Sequence, residues 1–143
     1  MIVVDASIAA KWYLNEPGST DAATLLSSAA ELIAPALIRI EVTGAILRHY
    51  REKKLSLERA KEACDLWESD LSAGAVRMVP DASLIIAARA LAFQIRHALQ
   101  DCLYLAAAIE AGSARLVTAD PKFHARAHPL FPSIELRAGA GSS

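Results

Sequence analysis

A chain of 143 residues that is 54% hydrophobic but only 6% aromatic is long enough to bury a core and too apolar to be disordered, which suits one helix-rich α/β domain. Its formal net charge of −1 excludes a global basic field for holding nucleic acid, so any RNA contact requires a local basic patch. No apolar run approaches the ~20 residues of a membrane span, and the N-terminus has no basic leader. Cys64 and Cys102 lack the paired spacing of zinc or redox motifs. The expectation is a cytoplasmic protein with buried free thiols.

Met1-Ile2-Val3-Val4-Asp5-Ala6-Ser7 is an apolar, β-branched run that stops on a carboxylate. Without polar alternation it reads as a fully buried parallel strand, expected in the middle of the sheet. Ligands of open α/β sheets bind outside the carboxyl ends of the strands, which makes Asp5 the first candidate site residue; the plainer alternative is a cap on the helix beginning near Ala6. That short helix runs to Tyr13 and is broken by Asn15-Glu16-Pro17-Gly18. Ser19 or Thr20 is the expected cap of a second helix reaching about Ala30. Leu32-Ile33-Ala34 is a brief strand ended by Pro35, and a longer helix follows from about Ala36 to Lys54. Ser56 caps a helix over Leu57 to Ala73, with Gly74 as its stop; this helix and its predecessor form a hairpin.

Val76 to Val79 is the third strand, after which Asp81 or Ser83 caps an apolar helix ending near Arg96. Gln100-Asp101 opens the next helix, which runs from Cys102 to Ala111 with Gly112 at its C′ position. Arg115 to Thr118 is the fourth strand, Asp120 follows at once, and Pro121 takes the favoured first position of a helix ending near His128. Ser133 to Leu136 is an edge strand. Strands alternating with helices favour a parallel sheet covered on both faces. One domain is expected over residues 1–137, with a flexible tail over 138–143.

Four acids stand out. Asp120 repeats the strand-end logic of Asp5. Glu41 places a charge near the start of an otherwise apolar helix, beside the small Gly44 and Ala45; its alternative is a solvated partner of Arg39 or Arg48. Asp101 has helix capping as its alternative. Together they can converge on one rim of the sheet, where they would repel one another unless a divalent ion neutralised them. Oxygen-only ligation selects Mg²⁺ or Mn²⁺ over zinc.

Val4-Asp5-Ala6-Ser7, Glu41, Asp101-Cys102-Leu103-Tyr104-Leu105-Ala106 and Leu116-Val117-Thr118-Ala119-Asp120 resemble, in order and over nearly the whole chain, the acidic motifs of PIN domains, in particular VapC-type toxins of VapBC toxin-antitoxin pairs. The resemblance implies a three-layer α/β/α sandwich with a central parallel sheet and an acidic pocket that binds Mg²⁺ or Mn²⁺. It also implies an endoribonuclease that cleaves RNA phosphodiester bonds, usually homodimeric and restrained by a small antitoxin. Asp5 and Asp101 match the main metal ligands, Glu41 and Asp120 the other acidic positions, and Ser7 and Thr118 the supporting hydroxyls. Lys122 stands where some relatives carry a further acid, so the resemblance does not carry a complete second metal site.

Two other functions compete. One is a catalytically silent module of the same fold that binds partner proteins, which retention of all four acids disfavours. The other is a haloacid-dehalogenase-like phosphatase, whose second Asp is missing where Ser7 stands. Among the remaining features, His97, just before Asp101, is expected to be satisfied by helix-end carbonyls, with RNA contact as its alternative, and the cations from Arg48 to Lys54 to complement a helix dipole, with a local phosphate-binding patch as theirs. Lys11, Lys122 and Arg126 are the candidates for substrate phosphates, and Trp12, Tyr13 and Trp67 for packing.

Overall fold

The computed structural model describes residues 1–112 and 115–137. The strands are β1 (Ile2–Val4), β2 (Leu32–Pro35), β3 (Arg77–Val79), β4 (Arg115–Thr118) and β5 (Ile134–Leu136). They form one all-parallel sheet in the order β3-β2-β1-β4-β5, so the opening strand is central, as its composition requires. Val3 and Val4 point to opposite faces and both are fully buried, so the sheet is covered on both sides and the fold is an α/β/α sandwich.

The helices are α1 (Ala6–Ala9), continued by a 3₁₀ turn over Ala10–Trp12, then α2 (Ser19–Leu26), α3 (Ile38–Arg51), α4 (Leu57–Ser72), α5 (Ile85–Ile95), α6 (Leu99–Glu110) and α7 (Pro121–Ala127). Every residue of α6 from Cys102 to Ala108 is buried. An apolar helix buried on all sides is an interior one, and α6 packs against β1, β2 and β4. No described helix is long and apolar enough to cross a membrane.

Local chemistry explains most boundaries. The Ser56 hydroxyl accepts the Arg59 N–H at 3.2 Å and starts α4, while Gly74 and Gly112 take left-handed backbone just past α4 and α6. The α3 and α4 helices pack together as the expected hairpin. Trp67 is fully buried there and donates from Nε1 to the Arg39 carbonyl at 3.3 Å. Tyr13 packs on Trp67 and donates to Asp70 at 2.6 Å, and Trp12 donates to the Ala22 carbonyl at 2.8 Å. All three aromatics are thus packing residues.

Four expectations are corrected. Neither Ser19 nor Thr20 caps α2: Gly18, at φ 89°, is the cap, and the Ser19 hydroxyl instead closes the preceding turn by accepting from the Glu16 N–H and donating to the Leu14 carbonyl. That helix ends at Leu26, where Ser27 and Ser28 turn their hydroxyls onto nearby carbonyls. Pro35 closes β2 from inside rather than ending it, in register with Val79. Asp81 does not cap its own helix; it lies in a 3₁₀ turn over Asp81–Ser83 and its Oδ1 accepts the Leu37 N–H at 3.0 Å, serving the start of α3. The expected tail over 138–143 lies outside the described residues.

Candidate active site: an acidic cleft at the strand ends

A cleft of about 670 Å³ opens beside the carboxyl ends of β1 and β4, and its lining includes Asp5, Ser7, Glu41, Asp101, Tyr104 and Asp120. Parallel pairing of Val4 with Val117 sets Asp5 next to Thr118 at that edge, and the Asp5 N–H donates to the Val117 carbonyl at 3.2 Å. Asp5 also begins α1: its Oδ1 accepts the Ile8 N–H at 3.3 Å and the Ser7 hydroxyl. Capping and cleft placement are therefore both true of this residue. Ser7 Oγ accepts the Ala119 N–H at 2.9 Å and lies 3.4 Å from Thr118 Oγ1, which accepts the Asp120 N–H at 3.1 Å. These two hydroxyls join the ends of β1 and β4. Asp120 caps α7 through Oδ1, taking the N–H groups of Lys122 and Phe123 at 2.9 and 3.3 Å.

Glu41 comes from the first turn of α3, and its Oε1 accepts the Tyr104 hydroxyl at 2.6 Å. It pairs with neither suggested arginine, since Arg39 forks onto Glu68 at 2.9 and 2.6 Å and Arg48 makes no ion pair with it. Asp101 lies in the first turn of α6 and does not cap it. Its Oδ2 is 2.6 Å from His97 Nε2 instead. This corrects the expectation for His97, whose ring also stacks on Phe123 with centroids 5.3 Å apart. Ligand atoms of His97, Asp101 and Asp120 all lie within 4.8 Å of one another.

Sequence reasoning missed His97 and Tyr104 as members of the site. Tyr104 had a signal: it stands three residues after Asp101 on one helix face. His97 stands four residues before Asp101, but it lies in the break between α5 and α6, so helical spacing alone did not pair the two.

Burial dominates the electrostatics. The Asp5 carboxyl, 4% exposed, is pushed up to about 7 by desolvation; the bonds from Ser7, Thr118 and Ile8 oppose the shift and the Asp101 charge adds to it. Glu41 is likewise raised by desolvation, against the Tyr104 hydroxyl and with help from Asp101 and Asp81. Among the described residues, no Lys or Arg forms an ion pair with Asp5, Glu41, Asp101 or Asp120. Uncompensated carboxylates sharing one cleft are a donor set that fits a hard divalent cation.

Of the cations expected to face substrate phosphates, Lys11 lines the cleft, and Lys122 and Arg126 are not among its lining residues. Lys11 is held by Glu16 at 3.2 Å and the Pro17 carbonyl at 2.7 Å, and Arg126 by the carbonyls of Ile95 and Arg96 at 3.2 and 2.7 Å. Lys122 is exposed. Arg48, for which a phosphate-binding patch was the alternative to a dipole complement, also lines the cleft.

Fold and site together define a class: three-layer α/β/α proteins with an acidic cleft at the strand ends. The PIN domain family model matches residues 2–129, and the chain belongs to that family. Among solved structures it is similar to a toxin-antitoxin complex from Klebsiella pneumoniae, with 15% identity, TM-score 0.65, and 97% of this chain and 99% of that one covered. It is also similar to Mycobacterium tuberculosis VapC20, described as a sarcin-ricin loop cleaving toxin, with 19% identity, TM-score 0.65, and coverage of 87% and 94%. No curated protein sequence matches the chain.

Proposed function

We propose that this protein is a Mg²⁺-dependent endoribonuclease toxin, with Mn²⁺ as an alternative ion, held inactive by a cognate antitoxin. The observation that carries the reading is the set of four carboxylates in one cleft, none of them paired with Lys or Arg among the described residues. The toxin-antitoxin complex and the RNA-cleaving toxin with which the chain shares its fold support it.

Asp5 and Asp101 are the main ligands of the ion, with Glu41 and Asp120 completing the pocket. When bound, the ion acidifies water and offsets charge developing on the phosphate. Ser7 and Thr118 hold the strand ends so that Asp5 and Asp120 keep their spacing. Glu41 is the general base: its Tyr104 bond fixes the carboxylate, and its raised pKa makes it a better proton acceptor than an ordinary glutamate. A water oxygen attacks phosphorus, its proton passes to Glu41, and the bond to the leaving ribose oxygen breaks, that oxygen taking a proton from solvent to become a hydroxyl. Arg48 at the cleft wall meets the backbone of the RNA.

The antitoxin occludes the same cleft by presenting a basic side chain to the acids, where an arginine fork satisfies carboxylates as a cation does. The toxin itself is a homodimer. Brief induction in cells followed by sequencing of newly formed RNA 5′ ends tests the activity and identifies the target. Discrete new ends with wild type and none with Asp5→Asn are expected, and indistinguishable profiles would exclude RNA cleavage by this cleft.

A further inference from the structure

We propose that His97 is a positioning residue that holds the Asp101 carboxylate for cation binding, a role that rests on reading the cleft as a cation site. Asp101 has strong local competition for its oxygens. It sits in the first turn of α6, whose cap, Ala98, has no side-chain acceptor to offer the free N–H groups there. An acid so placed ordinarily folds back onto those donors. Here Nε2 of His97 takes Oδ2 at 2.6 Å, and Oδ1 has no internal donor among the described residues. One oxygen is fixed and the other is left for a ligand.

The histidine is itself held from three directions. Its side chain is 9% exposed and its ring lies nearly parallel to that of Phe123, at 17°, a residue of α7 that is fully buried. Arg96, immediately before it, adopts left-handed backbone at φ 55°, a conformation that is strained for a non-glycine residue. That turn is tied down by the Arg126 guanidinium of α7, which donates to the carbonyls of Ile95 and Arg96. Because Asp120 caps the same α7, the arrangement sets Asp101 and Asp120 relative to each other through His97, Phe123 and Arg126. Hydrogen-bonded supports of this kind change metal affinity by about 10–100-fold when removed.

The test uses chelator-treated protein and Mn²⁺ titrations followed by electron paramagnetic resonance, with metal-free melting recorded alongside. His97→Phe keeps a ring on Phe123 but removes the donor; His97→Gln restores an N–H at nearly the Nε2 position. The expected result is about 10–100-fold weaker Mn²⁺ binding for His97→Phe, recovery to within about threefold for His97→Gln, and an unchanged KM for RNA at saturating metal. Wild-type affinity in His97→Phe, with Asp101→Asn weakened, would overturn the positioning role and leave the cation site standing. His97→Gln as weak as His97→Phe would also overturn it, pointing to direct ligation by the imidazole. Wild-type affinity in Asp101→Asn would remove the cation reading, and this proposal with it.

Discussion

The charged form of Asp5 is disfavoured in the folded chain, because its carboxyl is buried against only hydroxyl and amide donors. Between pH 3.8 and about 7 the folded chain keeps a proton there that the unfolded chain has released. Stability of the metal-free protein therefore falls as pH rises through that interval, with the full penalty, about 4 kcal/mol, present above it. Urea denaturation in chelator is expected to show a lower midpoint at pH 8 than at pH 5. Asp5→Asn should flatten that profile and exceed wild type at pH 8; a variant as pH-dependent as wild type would place the titrating group elsewhere. Tyr104→Phe removes the donor that opposes the rise in Glu41, so the acidic limb of the cleavage profile should move to higher pH. Loss of that bond to a charged group should also cost about 2 kcal/mol by thermal melting. Asp5 and Asp120 were visible in the sequence because each ends an apolar strand, whereas Tyr104 and His97 act through contacts that only the packed helices create.

At the scale of elements, the legible features were those with a local cause. Ser56, Gly74, Gly112 and Pro121 each mark a helix end because the cap geometry needs that residue type. Asp81 was misassigned because its acceptor serves Leu37, distant in sequence, and Gly18 because a backbone turn took the place of a side-chain cap. The central position of β1 was legible from its unbroken burial, and the order of the outer strands was not, since nothing within a short edge strand records its neighbour. Within α3, Gly44 faces the cleft, and a Cβ there would meet nothing within 4 Å. Gly44→Ala should therefore stabilise the protein by about 1 kcal/mol, from reduced backbone entropy in the unfolded chain. A rise of a few degrees in melting midpoint is the expected reading, and a fall would mean that the helix cannot accept a methyl at this point.

For the whole molecule, the proposed function makes ion binding at the acids a contribution to folding stability. The Asp101 charge raises the carboxyls of Asp5 and Glu41 in the folded chain, a repulsion weaker in the expanded chain, and on the proposed reading a cation that binds only the native state would relieve it. At a free Mg²⁺ concentration one hundred times its dissociation constant the gain is about 2.7 kcal/mol. Thermal shift should show it in wild type and show much less in Asp101→Asn. The most direct test of the central claim, that this cleft hydrolyses RNA with a bound divalent ion, is cleavage of an end-labelled RNA panel by purified, chelator-stripped protein before and after addition of Mg²⁺ or Mn²⁺. The account predicts no cleavage without metal, site-selective cleavage on adding it, and none with folded Asp5→Asn at any metal concentration. Equal cleavage in the presence of excess chelator, or by Asp5→Asn, would contradict it.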